Sequence, residues 1–220
     1  MNATQTPVRV AGALFLIPLL AYGIGSTLIL SLGKAPGHLL TISYARPQMM
    51  TGALLMVLNS LSVTAIAIVL YPILKRYHPW IGLWYLASRI MEALILLVGL
   101  ISLLLMFTLS TEYAKTNPAD PTCTGLFFQM ATQSNVWAYQ LAMIILGLGS
   151  IPFCHLLFKQ RLVPAFLSIL GLLGYVLLTL GACLELFGYP VGILLSLPGG
   201  LFEIIFGMWL MAKGFRLKKR

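Results

Sequence analysis

Residues 80–109 have the sequence WIGLWYLASRIMEALILLVGLISLLLMFTL, and this stretch decides the fold because it is almost unbroken in its apolar character. A helix needs about 20 consecutive apolar residues to cross the hydrocarbon core of a bilayer. The stretch therefore predicts a transmembrane helix. It also contains two charged residues, Arg89 and Glu92, at positions where lipid strongly disfavours a charge.

Five further apolar segments extend this interpretation to the whole chain. Of the 220 residues, 60% are hydrophobic and 9% are charged, whereas a soluble domain carries about 25% charged residues. The sequence therefore predicts an all-α polytopic membrane protein with one domain over residues 1–220, a bundle of six transmembrane helices. The predicted spans are residues 10–32, 50–74, 80–109, 136–158, 164–187 and 191–212. We expect the first to be a retained helix, because it is longer than the 7–15-residue apolar core of a signal peptide.

The distribution of Lys and Arg predicts the orientation of the bundle. Ten of the 14 basic residues lie on the side of the two termini, and three lie on the opposite side. Because basic loops stay in the cytoplasm, this asymmetry predicts that both termini are cytoplasmic. The net charge of +9 is explained in the same way, so the sequence predicts membrane lipids and no nucleic acid as partners.

Three irregular regions stand out between or within the spans. Residues 33–48 mix apolar and polar groups and are expected to form either a passive connector or a short interfacial segment. Residues 110–135 contain Asn-Pro and Asp-Pro pairs and predict irregular chain. The sequence Pro198-Gly199-Gly200 predicts an interruption of the sixth span, and broken helices line substrate sites in transporters.

The charges inside the spans define the candidate site. Arg89 lies nine residues after Trp80 and Glu203 lies ten residues before Lys213, so both are roughly 14–15 Å from the cytoplasmic end at 1.5 Å per residue. An ion pair between the third and sixth spans is therefore sterically plausible. Glu92 follows Arg89 by three positions and lies on the same helix face. Two carboxylates around one guanidinium would leave one of them free to bind a proton or a cation.

A histidine extends this group toward the cytoplasm. His155 lies about one turn from the cytoplasmic end of the fourth span, and imidazole exchanges protons near neutral pH. Arg89, Glu92, His155 and Glu203 are therefore the candidate ligand-binding or proton-relay residues.

Two alternatives for these charges stay open. Arg89 could extend past the aromatic residues Trp80, Trp84 and Tyr85 to the headgroups, or it could form a purely structural ion pair. Glu185, near the end of the fifth span, is predicted to be interfacial.

The sequence contains no pattern for metal, cofactor or nucleophilic chemistry. There is no CxxC pair, no HExxH motif and no GxSxG motif, and no second histidine lies within a span to make a bis-histidine haem site. We therefore predict no cofactor and no metal, and no catalytic residue is identified.

Several short stretches resemble a known family. They are RVAGALF (9–15), SRIME (88–92), GLGSIPFCHLL (147–157), residues 163–175 with Val163-Pro164, Leu170-Gly171 and Gly174-Tyr175, and residues 203–214 with Trp209-Leu210 and Lys213-Gly214. Together they are similar to the bacterial membrane proteins grouped as domain of unknown function 4386, over nearly the whole chain. The resemblance implies a compact multi-helix fold in a bacterial cytoplasmic (inner) membrane, and no particular activity.

These observations leave three hypotheses for function. The first is binding or transport of a small molecule or ion through the Arg/Glu/His cluster, with no enzymatic activity and with dimerisation as a source of additional room. The second is an intramembrane enzyme acting on a lipid or isoprenoid, with His155 or a carboxylate as general base. The third is a non-catalytic subunit of a larger membrane complex, which predicts an exposed apolar helix face and no central cavity.

Overall fold

The computed structural model describes residues 5–32, 44–115 and 121–216, and these residues form six long α-helices. All six are long and apolar enough to cross a membrane. The prediction of an all-α polytopic bundle of six helices is confirmed. In chain order the helices are α1 (Gln5–Leu32), α2 (Arg46–Tyr77), α3 (Pro79–Lys115), α4 (Pro121–Lys159), α5 (Ala165–Leu186) and α6 (Gly192–Ala212).

Proline and glycine mark the ends of these helices. Pro47, Pro79, Pro121 and Pro164 lie at or beside the first residue of α2, α3, α4 and α5. Proline suits the first turn of a helix because its fixed φ is helical and its missing N–H has no partner there. The short connection from α5 to α6 contains Gly188 with φ of 89°, a conformation that glycine adopts without a steric penalty.

The described helices form a closed ring. Each helix packs against the next one in the chain, and α6 packs back against α1. Helices α1 and α4 therefore face each other across the centre. The ring places the inward side chains of all six helices around a common interior, which is where the charged residues of α3 and α6 lie.

The contact between α6 and α1 closes the ring, and it depends on two glycines. A Cβ atom added to Gly12 would lie 2.6 Å from the carbonyl oxygen of Gly207, and one added to Gly207 would lie 2.9 Å from the carbonyl oxygen of Gly12. Close approach at small residues is a common means of packing membrane helices. Phe15 and Phe206 pack edge to face beside this contact, with ring centroids 5.2 Å apart.

We therefore expect Gly12→Leu to open the α1–α6 contact and to lower the free energy of unfolding by about 1–3 kcal/mol or more, the usual cost of overpacking. Gly200→Leu is the matched control, since a Cβ at Gly200 meets nothing within 4 Å. Thermal denaturation of the two purified variants in detergent checks this. Equal melting temperatures would show that α1 and α6 are not held this closely.

The prediction of irregular chain at residues 110–135 is wrong for the described part of that region. Helix α3 continues to Lys115 and α4 begins at Pro121, so each is about 55 Å long and extends beyond the bilayer core. Packing explains the extension, because Phe128 and Ala131 contact the apolar cluster that includes Leu103. A passive connector or an interfacial segment was predicted for residues 33–48. Residues 33–43 of this range lie outside the described part of the chain.

The predicted interruption at Pro198 is also absent, since α6 is continuous through Pro198. The glycine that follows serves packing instead. A Cβ on Gly174 of α5 would lie 2.8 Å from the Cα of Gly199, so α5 and α6 approach closely at this level. The helix thereby holds Glu203 at a fixed distance from α5.

Two hydrogen bonds join chain segments that meet at one end of the bundle. The Gln5 side-chain amide donates to the carbonyl oxygen of Phe215 at 2.8 Å, and the backbone N–H of Arg216 donates to the carbonyl oxygen of Leu162 at 2.8 Å. The start of α1, the end of α6 and the α4–α5 connection therefore lie at one end of the bundle. That this end faces the cytoplasm stays a prediction.

Candidate functional site

Arg89 is the centre of a polar cluster inside the ring. Its side chain is 3% exposed, and its Nη1 lies 3.1 Å from Oε2 and 3.4 Å from Oε1 of Glu92, one turn further along α3. Its Nε donates to the hydroxyl of Tyr85 at 3.3 Å, one turn earlier. The i, i+3 and i, i+4 spacing places all three side chains on one face of the helix, so α3 by itself holds the guanidinium inward.

Glu203 reaches the same guanidinium from α6. Its Oε1 lies 3.7 Å from Arg89 Nη2 and accepts a hydrogen bond of 2.9 Å from the hydroxyl of Tyr175 on α5. The structure thus brings together three of the four predicted residues, Arg89, Glu92 and Glu203. Equal depth in the bilayer was the signal that paired the third and sixth spans.

The buried position of Arg89 contradicts the alternative in which its side chain extends to the headgroups. Trp80 and Trp84 are exposed on the outside of the bundle, whereas Tyr85 is fully buried. The guanidinium carbon lies 5.3 Å from the ring centre of Tyr85 and 6.0 Å from that of Phe15, within the range of cation–π attraction. Aromatic faces and carboxylates therefore hold the charge in the interior.

A cavity of about 270 Å³ adjoins this cluster. Residues of α1, α2, α3, α4 and α6 line it, including Arg89, Glu92 and Glu203 together with the aromatic side chains Phe15 and Tyr139. We call it the central cavity. Its existence does not fit the hypothesis of a non-catalytic subunit, which predicts none.

Two polar atoms at the central cavity have no hydrogen-bond partner within the described chain. They are Nη2 of Arg89, which is 3.7 Å from Glu203, and Nδ2 of Asn59 on α2. Buried polar groups are almost always hydrogen-bonded, and an exception calls for an explanation such as a bound molecule or water. Both residues line the central cavity, although these two atoms themselves have almost no exposed surface.

The structure separates His155 from the other three candidates. Its side chain is exposed on the outside of α4, although its neighbours Cys154 and Leu156 are buried. It does not line the central cavity. A proton relay from His155 to Glu203 and general-base chemistry by His155 inside the bundle therefore have no geometric basis among the described residues, whereas a carboxylate as general base stays a prediction.

Glu185 occupies a second polar site, at the end of the bundle opposite the termini. Its carboxylate accepts a 3.0 Å hydrogen bond from the backbone N–H of Gly192, at the start of α6, and also contacts Nε2 of Gln140. A carboxylate is favoured at this helix end by the unpaired N–H groups and the helix dipole. Glu185, predicted to be interfacial, therefore links α4, α5 and α6.

A second cavity, of about 410 Å³, lies beside Glu185. We call it the distal cavity. Tyr22 and Tyr139 line both the distal and the central cavity, and their rings stack with centroids 5.2 Å apart and planes 25° apart. Asn59 and the position of these tyrosines between the cavities were not predicted from the sequence. An asparagine within an apolar span is unusual and could have indicated Asn59. Tyrosine is too common in membrane helices to indicate Tyr22 or Tyr139.

Comparison with known sequences gives a family match. The sequence model of the family described as "Domain of unknown function (DUF4386)" matches residues 10–214. No curated protein and no solved structure matches the chain.

Proposed function

This chain belongs to the DUF4386 family, and we propose that it binds a small organic cation in the central cavity, in exchange for a proton carried by Glu203. The observation that supports the proposal most strongly is the charge of the cluster. One guanidinium, Arg89, faces two carboxylates, Glu92 and Glu203, at the edge of an open space within a membrane protein.

The excess negative charge requires a partner. A charge at the centre of a membrane helix costs about 2.5–3.5 kcal/mol on insertion scales, and it is normally neutralised or paired. Arg89 and Glu92 neutralise each other at 3.1 Å. The remaining carboxylate is neutralised either by a proton or by a cation in the cavity, and these two occupants exclude each other.

Glu203 is the carboxylate suited to this exchange. Its side chain is 20% exposed, whereas that of Glu92 is 3% exposed. Its contacts with Tyr175 and Arg89 involve the same oxygen, Oε1. The Tyr175 hydroxyl holds the carboxylate in place, and the opposite oxygen is left to carry a proton or to face a ligand.

The walls of the central cavity select the kind of cation. Phe15, Tyr22 and Tyr139 contribute aromatic surface, and Leu96 and Met143 contribute aliphatic surface. Aromatic faces attract alkylammonium groups, and apolar walls favour an organic cation over a hydrated metal ion. The volume of about 270 Å³ suits a molecule of a few carbon atoms.

We further propose that the exchange occurs across a bacterial cytoplasmic membrane, with both termini in the cytoplasm. The excess of basic residues at the end that carries the termini supports this orientation, by the positive-inside rule.

Thermal denaturation of the purified protein tests the function. We expect small alkylammonium ions to raise the melting temperature, because a ligand that binds the folded state stabilises it. Neutral molecules of the same shape are the matched controls and should have no effect. If the cation displaces one proton, its affinity rises with pH, by at most about tenfold per pH unit.

Two results would contradict the proposal. One is equal stabilisation by cations and by their neutral isosteres, which would indicate an apolar site without charge selection. The other is a cation affinity that does not change between mildly acidic and mildly alkaline pH, which would show that no proton is exchanged.

A further inference from the structure

We propose that the distal cavity is the entrance to the central cavity and that the stacked pair Tyr22–Tyr139 closes the passage between them. This inference rests on the proposed function, since it describes how a cation would reach Glu203. It concerns access to the central cavity, however, and it can be tested separately from cation binding.

The two cavities are adjacent along the interior of the ring. They share Tyr22, Tyr139 and Met143 as lining residues. The central cavity continues from these side chains to Arg89, and the distal cavity continues from them to Glu185 at the opposite end of the bundle from the termini. The tyrosines thus form the boundary between two spaces that would otherwise be continuous.

The tyrosine pair spans the ring rather than joining neighbouring helices. Tyr22 belongs to α1 and Tyr139 to α4, and these two helices are not neighbours in the ring. Their rings nevertheless stack at a centroid separation of 5.2 Å. An aromatic pair of this kind contributes little stability, so its side chains can separate without disturbing the helices that carry them.

The polar lining of the distal cavity suits the approach of a cation. The carboxylate of Glu185, the side-chain amides of Asn135 and Gln140, and the hydroxyl of Ser196 line it. These groups offer oxygen acceptors that can replace part of the hydration of an ammonium group. A cation would therefore meet acceptors at the entrance and a carboxylate again at Glu203, with the tyrosines between.

Cysteine labelling tests the passage independently of the ligand's identity. In a background with Cys123→Ser, Cys154→Ala and Cys183→Ser, Val63→Cys places a thiol at the central cavity and Ser196→Cys places one at the distal cavity. The probe is a small water-soluble methanethiosulfonate that carries an ammonium group. We expect the thiol at position 196 to react quickly and the thiol at position 63 to react slowly.

The tyrosine variants then decide the proposal. Tyr139→Ala should accelerate labelling at position 63 by about tenfold, since it removes the stack, and it should leave labelling at position 196 unchanged. Tyr139→Phe keeps the stacked ring and should leave both rates unchanged. An unchanged rate at position 63 in Tyr139→Ala would overturn the gate, and so would a rate that rises equally at both positions.

Protection by a cation separates this inference from the proposed function. An alkylammonium ion that slows labelling at position 63 in the Tyr139→Phe protein, which keeps the aromatic wall of the cavity, demonstrates binding in the central cavity. Such protection, together with a labelling rate that Tyr139→Ala does not change, would overturn the gate and leave the function standing. Acceleration by Tyr139→Ala without protection of the Tyr139→Phe protein by any alkylammonium ion would support the passage and overturn the function.

Discussion

Replacing Arg89 with leucine is expected to lower the free energy of unfolding by about 3–5 kcal/mol, the usual cost of removing one partner from a buried ion pair. The substitution leaves Glu92 and Glu203 without the guanidinium that lies 3.1 and 3.7 Å from them. It also leaves the hydroxyl of Tyr85 without its donor. Denaturation of the purified protein in mixed micelles measures the loss.

A second substitution distinguishes lost charge balance from lost packing. Adding Glu92→Leu to Arg89→Leu removes the more deeply buried of the two uncompensated carboxylates, and we expect it to restore a large part of the stability, because apolar replacement of a buried ion pair is often neutral. A loss below about 1 kcal/mol for Arg89→Leu alone would match an exposed pair and would contradict the buried position of Arg89.

The second large effect is expected from Glu203→Gln, a substitution that preserves the shape of the side chain. We expect the affinity for the cation to fall by about 30-fold or more, since truncating one partner of a buried charge pair costs about 2–5 kcal/mol. The remaining binding should no longer depend on pH, because the exchangeable proton is gone. Titration calorimetry at two pH values measures both properties.

Two further variants are the controls for Glu203→Gln. Glu112→Gln removes a carboxylate from an exposed position on α3 and should leave the affinity unchanged. Tyr175→Phe removes the hydroxyl that donates to Glu203 and should weaken binding by a smaller factor, while the pH dependence persists. If Glu112→Gln and Glu203→Gln weaken binding equally, the effect is one of net charge and Glu203 is not the binding group.

The sequence was sufficient to predict the number of helices and the common level of Arg89 and Glu203 in the bundle. Apolar length determines the number of helices, and the helical rise converts the positions of Arg89 and Glu203 into equal distances from one end of the bundle. The direction of a side chain around its helix was not predictable in the same way. Lipid and protein interior are equally apolar, so nothing in the pattern around His155 distinguishes an outward from an inward position.

The end of α3 and the start of α4 were also not predictable from the sequence. The Asn-Pro and Asp-Pro pairs between residues 117 and 121 led to the prediction of irregular chain, whereas Pro121 begins α4. Phe128 of α4 packs against an apolar cluster that includes Leu103 of α3. That contact joins positions far apart in the chain, and no local sequence pattern reveals it.

The most direct test of the central claim is the number of protons released when the cation binds. The purified protein, in a weakly buffered detergent solution with a pH indicator, is mixed with a saturating alkylammonium ion at several pH values from mildly acidic to mildly alkaline. We expect the wild-type protein to release up to about one proton per cation bound at the acidic end of this range and Glu203→Gln to release none. Binding of the cation to the wild-type protein across the whole range without release of a proton would contradict the exchange at Glu203.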